Sequence, residues 1–221
     1  MTEEKDEYAS PPCFMHRLDP SSGGLSPEED IQQRADVMRW RKAERDRLIA
    51  ERLAIGAEVR RSHTTQIAAG LDEALGDLSG RIVSAYWPFR GEPDLRPWMA
   101  RVTEHGGVCA LPVVVERHAP LVFRAWRQGD RLHPGVWNIP VPSDGPEVTP
   151  DVVIAPLVGF DAACYRLGYG GGFFDRTLAA MARQPRIVGV GYAQAAIQTI
   201  YPQPHDIPMG LIATEQGVRD R

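Results

Sequence analysis

From Ile31 to Leu78 the chain runs without proline, and the apolar positions Leu48, Ile49, Leu53 and Ile55 recur at helical spacing. Arg39, Arg41, Lys42, Arg45, Arg47 and Arg52 crowd the other faces, which reads as a solvated basic side. Arg41 and Arg45 stand four apart, on one side of a helix, where two guanidinium groups can share a polyphosphate. Gly56 and Gly70 are positioned to interrupt or cap the helical segments.

Beyond Leu78 the period changes. Arg81–Trp87 predicts a strand closed by Pro88, and Asp94–His105 a helix with Asp94 as its cap and Gly106-Gly107 as its stop. Val108–Leu111 and Val113–Val115 predict the next strand around Pro112, with Leu121–Trp126 added antiparallel to it. Asp151–Ala155 reads as a buried strand, Phe173–Arg183 as a helix, and Ile187–Val190 and Gly210–Thr214 as two further strands. This alternation predicts an α/β fold: one three-layer, doubly wound domain with a mostly parallel sheet and a helical N-terminal segment. Ligands bind such sheets at the strand carboxyl ends. The segments Trp87–Glu92, Pro156–Gly172 and Tyr192–Gln194 all leave such ends.

Residues 1–33 are polar and broken by Pro11-Pro12, Pro20, the run 21–24 and Pro27, which predicts a flexible extension ahead of a domain over 34–221. Its apolar patch Cys13–His16 suits docking; Cys13 and His16 have no further metal ligands at suitable spacing.

One segment carries most of the chemistry. Arg166 is followed by Gly168, Tyr169, Gly170, Gly171 and Gly172, then Phe173, Phe174 and Asp175. Glycines there allow positive φ and close backbone approach, and successive N–H groups ahead of a helix form an anion nest. The loop lacks the Gly-Lys-Ser/Thr ending of a P-loop. It also lacks the third glycine of the dinucleotide fingerprint, whose position Phe173 occupies. Its plain reading is a phosphate-binding loop, and a tight strand-to-helix turn is the alternative.

The 221 residues suffice for one sizeable α/β domain, with an ordinary 43% hydrophobic and 24% charged content. A net charge of −4 gives no reason to expect nucleic acid or an anionic membrane as a partner. Cys13, Cys109 and Cys164 form no CxxC pair, which predicts reduced thiols. With no long apolar run and an acidic N-terminus, a cytoplasmic protein without a leader is expected, and a monomer is the simplest assembly.

Three further segments join the glycine loop: Tyr86–Asp94 with its Pro-Phe-Arg-Gly-Glu core, Gly135–Pro142 around Trp137-Asn-Ile-Pro, and Pro204–Pro208 followed by Thr214-Glu215. In this order and spacing the chain resembles the 5-formyltetrahydrofolate cyclo-ligase (methenyltetrahydrofolate synthetase) family over roughly residues 39–215.

The resemblance implies ATP-dependent ring closure of 5-formyltetrahydrofolate to 5,10-methenyltetrahydrofolate, through a phosphorylated imidate, with release of ADP and phosphate. It implies that Arg41, Arg45, Arg166 and Gly168–Gly172, Tyr169 included, hold ATP, with Arg166 and Asp175 catalytic. Mg²⁺ would sit at Asp175, with Asp206 as a second candidate. Glu92 and Trp137 would recognise the pterin and the folate, beside Phe173 and Phe174. Two other roles stay open: Glu92 as a cap of the following helix and Trp137 as core. The family usually has tyrosines where this chain has Phe173 and Phe174, and often an acidic or amide residue where Val141 stands. Two alternatives stand beside this reading: a diverged relative that phosphorylates or ligates another small molecule, which the missing tyrosines and the N-terminal extension keep open, and a non-catalytic folate- or nucleotide-binding regulator.

Overall fold

A computed structural model describes residues 27–221. Most of the 1–33 extension, including Cys13 and His16, lies outside the described residues. Helix α1 (Pro27–Ala54) already includes residues 27–33, so helical structure starts ahead of the boundary drawn at 33. Gly56 ends the first helical segment as expected, and α2 (Ala57–Leu75) follows it. Gly70 does not interrupt: it lies inside α2, and a Cβ there would come within 3.3 Å of Val218 Cγ2. The missing side chain lets the last strand pack close to the helix.

The elements continue as β1 (Ile82–Ser84), α3 (Arg96–Glu104), β2 (Val108–Val113), β3 (Val122–Ala125), β4 (Leu132–Pro134), β5 (Pro140–Pro142), β6 (Val152–Pro156), β7 (Gly159–Phe160), β8 (Arg166–Leu167), α4 (Phe173–Ala180), β9 (Arg186–Val190), β10 (Leu211–Thr214) and β11 (Gly217–Asp220). Asp94 does accept a bond from the Arg96 amide at 3.1 Å, at the entry to α3.

The main sheet has the order β11-β10-β9-β6-β1-β2-β3. The five inner strands pair in parallel, and β3 and β11 close the two edges antiparallel. Alternate residues of each inner strand serve opposite faces. Val152, Ile154, Val188, Val190, Leu211 and Ala213 join Ile67 and Leu71 of α2 and Trp98, Met99 and Val102 of α3 in one core. Val153, Ala155, Ile187 and Ile212 join Leu178 of α4 in another. Both faces are covered, which gives the expected three layers. Each fully buried Leu or Ile here contributes about 1.5–3 kcal/mol.

Helix α1 lies outside this sandwich, over Val158, Leu167 and Ile200, which it meets with Leu48 and Ile49. The face that it turns inward keeps Leu48 and Ile49 of the expected apolar set but takes in arginines and leaves Leu53 out. Arg41 and Arg52 are each only 5% exposed, whereas Leu53 is 51% exposed.

β1 leads through α3 to β2 on one side, and β6 leads through α4 to β9 on the other. The neighbouring pair β1 and β6 is therefore the point at which the winding reverses, where a doubly wound sheet opens a crevice.

Candidate functional site

The cleft opens at the carboxyl ends of β1 and β6. Its walls come from the segment after β1 (Trp87, Phe89, Glu92), the glycine loop between β8 and α4, the β4–β5 ribbon and the basic face of α1. The Tyr192–Gln194 segment after β9 does not reach it. Tyr192 is buried in the core and its hydroxyl donates to Gly91 O at 3.2 Å.

On the anion side, none of the Gly168–Gly172 amides donates to a protein acceptor among the described residues. Gly170 and Gly172 have φ of 90° and 65°, the left-handed region that glycine enters freely. Arg45 Nε donates to Gly168 O at 2.6 Å, and its terminal nitrogens have no acceptor among the described residues. Burial first, then the neighbouring Arg41 charge, lowers the Arg45 pKa. Arg166 donates to Asp175 Oδ2 at 3.1 Å and lies 5.0 Å over the Phe174 ring, while its buried Nε has no partner among the described residues. Burial lowers the Arg166 pKa against the pull of Asp175. Two buried or half-buried cations and a row of unbonded amides thus face one space, an arrangement that suits a polyphosphate.

Arg41 behaves differently from its helical neighbour. Its guanidinium grips both carboxylate oxygens of Asp206 and the carbonyls of Ile200 and Tyr201. Asp206 also accepts from the Gln203 amide at 2.6 Å. Burial opposes its charge, yet the Arg41 bonds bring its pKa below the ordinary carboxylate value. Arg41 and Arg45 thus both line the cleft, Arg41 tied to Asp206 and Arg45 with its terminal nitrogens left without an acceptor among the described residues.

Among the described residues no group of three or more His, Cys, Asp or Glu could hold a metal. A single carboxylate suffices for Mg²⁺ when phosphates and water complete the shell. Asp175 fits that role: it lines the cleft and accepts one bond on each oxygen, from Arg166 and from the Ile207 amide at 3.2 Å. Asp206 fits poorly, because both its oxygens face the Arg41 fork.

The other side of the cleft is apolar and ends on a carboxylate. Glu92 is 6% exposed. Its Oε2 accepts from the Phe89 amide at 2.9 Å and its Oε1 from the Tyr169 hydroxyl at 2.9 Å. Both bonds stay within the cleft, so capping of α3 is not its role. Burial pushes its pKa up to about 7, against the opposing effects of Arg52, the Phe89 amide and Tyr169.

Trp137 is not core. It stands 53% exposed at the tip of the β4–β5 ribbon, with φ of 56°, near-parallel to the Phe89 ring with centroids 6.4 Å apart. Flat aromatic walls of this kind accept a flat heterocycle. Val141, Phe173 and Phe174 also line the cleft.

A family model described as the 5-formyltetrahydrofolate cyclo-ligase family matches residues 37–215. The chain belongs to the 5-formyltetrahydrofolate cyclo-ligase family. It is similar to the 5-formyltetrahydrofolate cyclo-ligase of Mycolicibacterium smegmatis, 31% identical over 70% of this chain and 87% of the relative. The Escherichia coli K12 cyclo-ligase is 33% identical over 62% of this chain and 79% of its own length. The structure of the Aquifex aeolicus 5,10-methenyltetrahydrofolate synthetase superposes with a TM-score of 0.71 at 27% identity, covering 81% of this chain and 92% of that one.

Within this cyclo-ligase two residues hold places that the sequence reading did not assign. Arg52, grouped there with the solvated arginines, donates to Arg90 O at 2.9 Å, Leu157 O at 3.1 Å and the Tyr169 hydroxyl at 2.5 Å. Arg176 donates to Gly171 O at 2.7 Å from outside the loop. Spacing did hold a signal for Arg52: it stands on one helical face with Val37, Arg41, Arg45 and Leu48. Tyr169, expected on the ATP side through its place in the loop, turns its side chain to Glu92.

Proposed function

We propose that this cyclo-ligase converts 5-formyltetrahydrofolate and ATP to 5,10-methenyltetrahydrofolate, ADP and phosphate. The observation that carries the reading is the meeting of two unlike half-sites in one cleft. The loop amides and the Arg45 guanidinium nitrogens, without acceptors among the described residues, face the aromatic walls and buried carboxylate of the other half.

The formyl oxygen, a poor leaving group as it stands, attacks the γ-phosphorus and ADP departs. The neighbouring folate nitrogen then attacks the formyl carbon, the C–O bond breaks, and phosphate carries the oxygen away as that nitrogen loses its proton. Arg45, Arg166 and the loop amides hold the phosphates in line and balance the charge on the transferring group. Ionised Glu92 accepts pterin N–H groups, while Trp137 and Phe89 flank the ring. Phe173 and Phe174 supply packing without a hydroxyl. Asp175 would hold Mg²⁺, which would supply a further positive charge beside the transferring phosphoryl group. In this reading the protein acts in the cytoplasm on small molecules, and its net charge of −4 gives no reason to expect a nucleic-acid or anionic membrane partner.

The test is direct. Purified protein mixed with 5-formyltetrahydrofolate and Mg-ATP should build up the near-ultraviolet absorbance of the methenyl product, with one ADP per product. ADP formation only with a different acceptor would replace this reading by that of a diverged relative. Folate binding with no ATP turnover would make the protein a regulator.

A further inference from the structure

The Tyr169 side chain belongs to the glycine loop by sequence and to the folate half of the cleft by contact. Its hydroxyl accepts from Arg52 Nη2 at 2.5 Å and donates to Glu92 Oε1 at 2.9 Å, and its ring lies 5.8 Å from Phe89 and 6.2 Å from Trp137. Arg52 is itself held by Arg90 O after β1 and Leu157 O after β6, so both strand ends of the crevice anchor the same guanidinium.

We infer that Tyr169 is a positioning residue that couples the two substrates, so that ordering the glycine loop around phosphate fixes the Glu92 carboxylate for the folate, and the reverse. The inference rests on the two-substrate reading above.

The physical reason is the cost of ordering the loop. Four glycines in five positions lose more conformational freedom on being fixed than other residues would. The substrate that arrives first, from either side, meets that cost. The second then finds Gly168–Gly172 and Glu92 already set through the Tyr169 hydroxyl. By linkage the effect is reciprocal, and couplings of this kind typically change affinity by about 5- to 150-fold. A loop that held phosphate alone would have no use for a side chain that reaches the opposite half-site.

The experiment measures 5-formyltetrahydrofolate affinity with and without a saturating Mg-bound β,γ-imido analogue of ATP. Wild-type protein should bind the folate about tenfold more tightly with the analogue present. Tyr169→Phe should reduce that ratio below about threefold, while its affinity for the analogue alone stays within about twofold and its melting temperature stays close to wild type. No coupling in the wild type, or full coupling in Tyr169→Phe, overturns the inference. So does an equal loss of nucleotide binding by itself, which would make the tyrosine a prop of the loop.

Hydrogen exchange on the wild type needs no variant: folate alone should slow exchange at Gly168–Gly172, and unchanged rates there overturn the idea. If wild-type protein makes no methenyl product and binds no folate, both readings fail. If it is active but uncoupled, only this one does.

Discussion

Arg41 holds both carboxylate oxygens of Asp206 in an ion pair whose side chains are only 6% and 8% exposed. The pair joins α1 to the segment between β9 and β10, and its worth lies in completeness: one partner alone would be a buried, uncompensated charge. Asp206→Ala should lower the unfolding free energy by about 3–5 kcal/mol, whereas Arg41→Met with Asp206→Leu should recover most of that loss. Urea titrations of the two variants check this. A similar loss in both would assign the pair a different role.

The Glu92 carboxyl is held near 7 in the folded protein and near 4.5 as a free side chain. Folding therefore favours its protonated form. Its contribution to stability is fully present below about pH 4.5, is lost as pH rises towards 7, and is flat above that. The difference is of order 3 kcal/mol. Glu92→Gln should remove this slope, which urea titrations at pH 5 and pH 8 would reveal. Folate binding runs the opposite way, because the ionised form accepts the pterin N–H groups. Affinity should rise with pH through about 7 in the wild type and stay flat in the Gln variant.

Asp175→Asn removes the countercharge of buried Arg166 and the proposed Mg²⁺ carboxylate together. Turnover should fall by about 10²–10³-fold, while the dissociation constant for 5-formyltetrahydrofolate changes less than about threefold. Steady-state rates and direct folate titration separate the two. Unchanged turnover would remove Asp175 from the metal assignment.

Trp137→Ala tests whether the half-exposed indole serves ligand or fold. Loss of a side chain that is 53% exposed should change stability by less than about 0.5 kcal/mol. The KM for the folate should rise about tenfold, with the KM for ATP unaltered, if the ring forms a wall of the folate pocket. A large drop in melting temperature with no effect on KM would return Trp137 to a packing role.

Much of the architecture was legible along the chain because its signals are local. Residues 152–155 and 187–190 are short apolar runs buried on both faces, and such runs read as inner parallel strands wherever they occur. Phe173–Ala180 begins where the glycines end, as expected, but stops at Ala180 rather than Arg183. β7 and β8 are two residues each and too short to show a period. The β4–β5 ribbon contains Pro134, Pro140 and Pro142, residues that speak against a strand. A two-stranded ribbon tolerates them because half of its N–H groups face no partner strand. β11 follows β10 after a two-residue turn, and all four of its residues are exposed, so it lacked an apolar face to announce it.

The sequence by itself determined the fold class, the glycine loop that leads into α4 at residues 168–172 and the family, because glycine placement, strand runs and motif order are properties of consecutive residues. Only the tertiary structure decided how the arginines of one helix divide their work. Arg41 lies against Asp206, Arg45 against the glycine loop and Arg52 against Tyr169, across separations of 165, 123 and 117 residues. Helical spacing places three guanidinium groups along one face. Which of them meets a carboxylate and which keeps its donors free depends on chain segments that come together only when the sheet is complete.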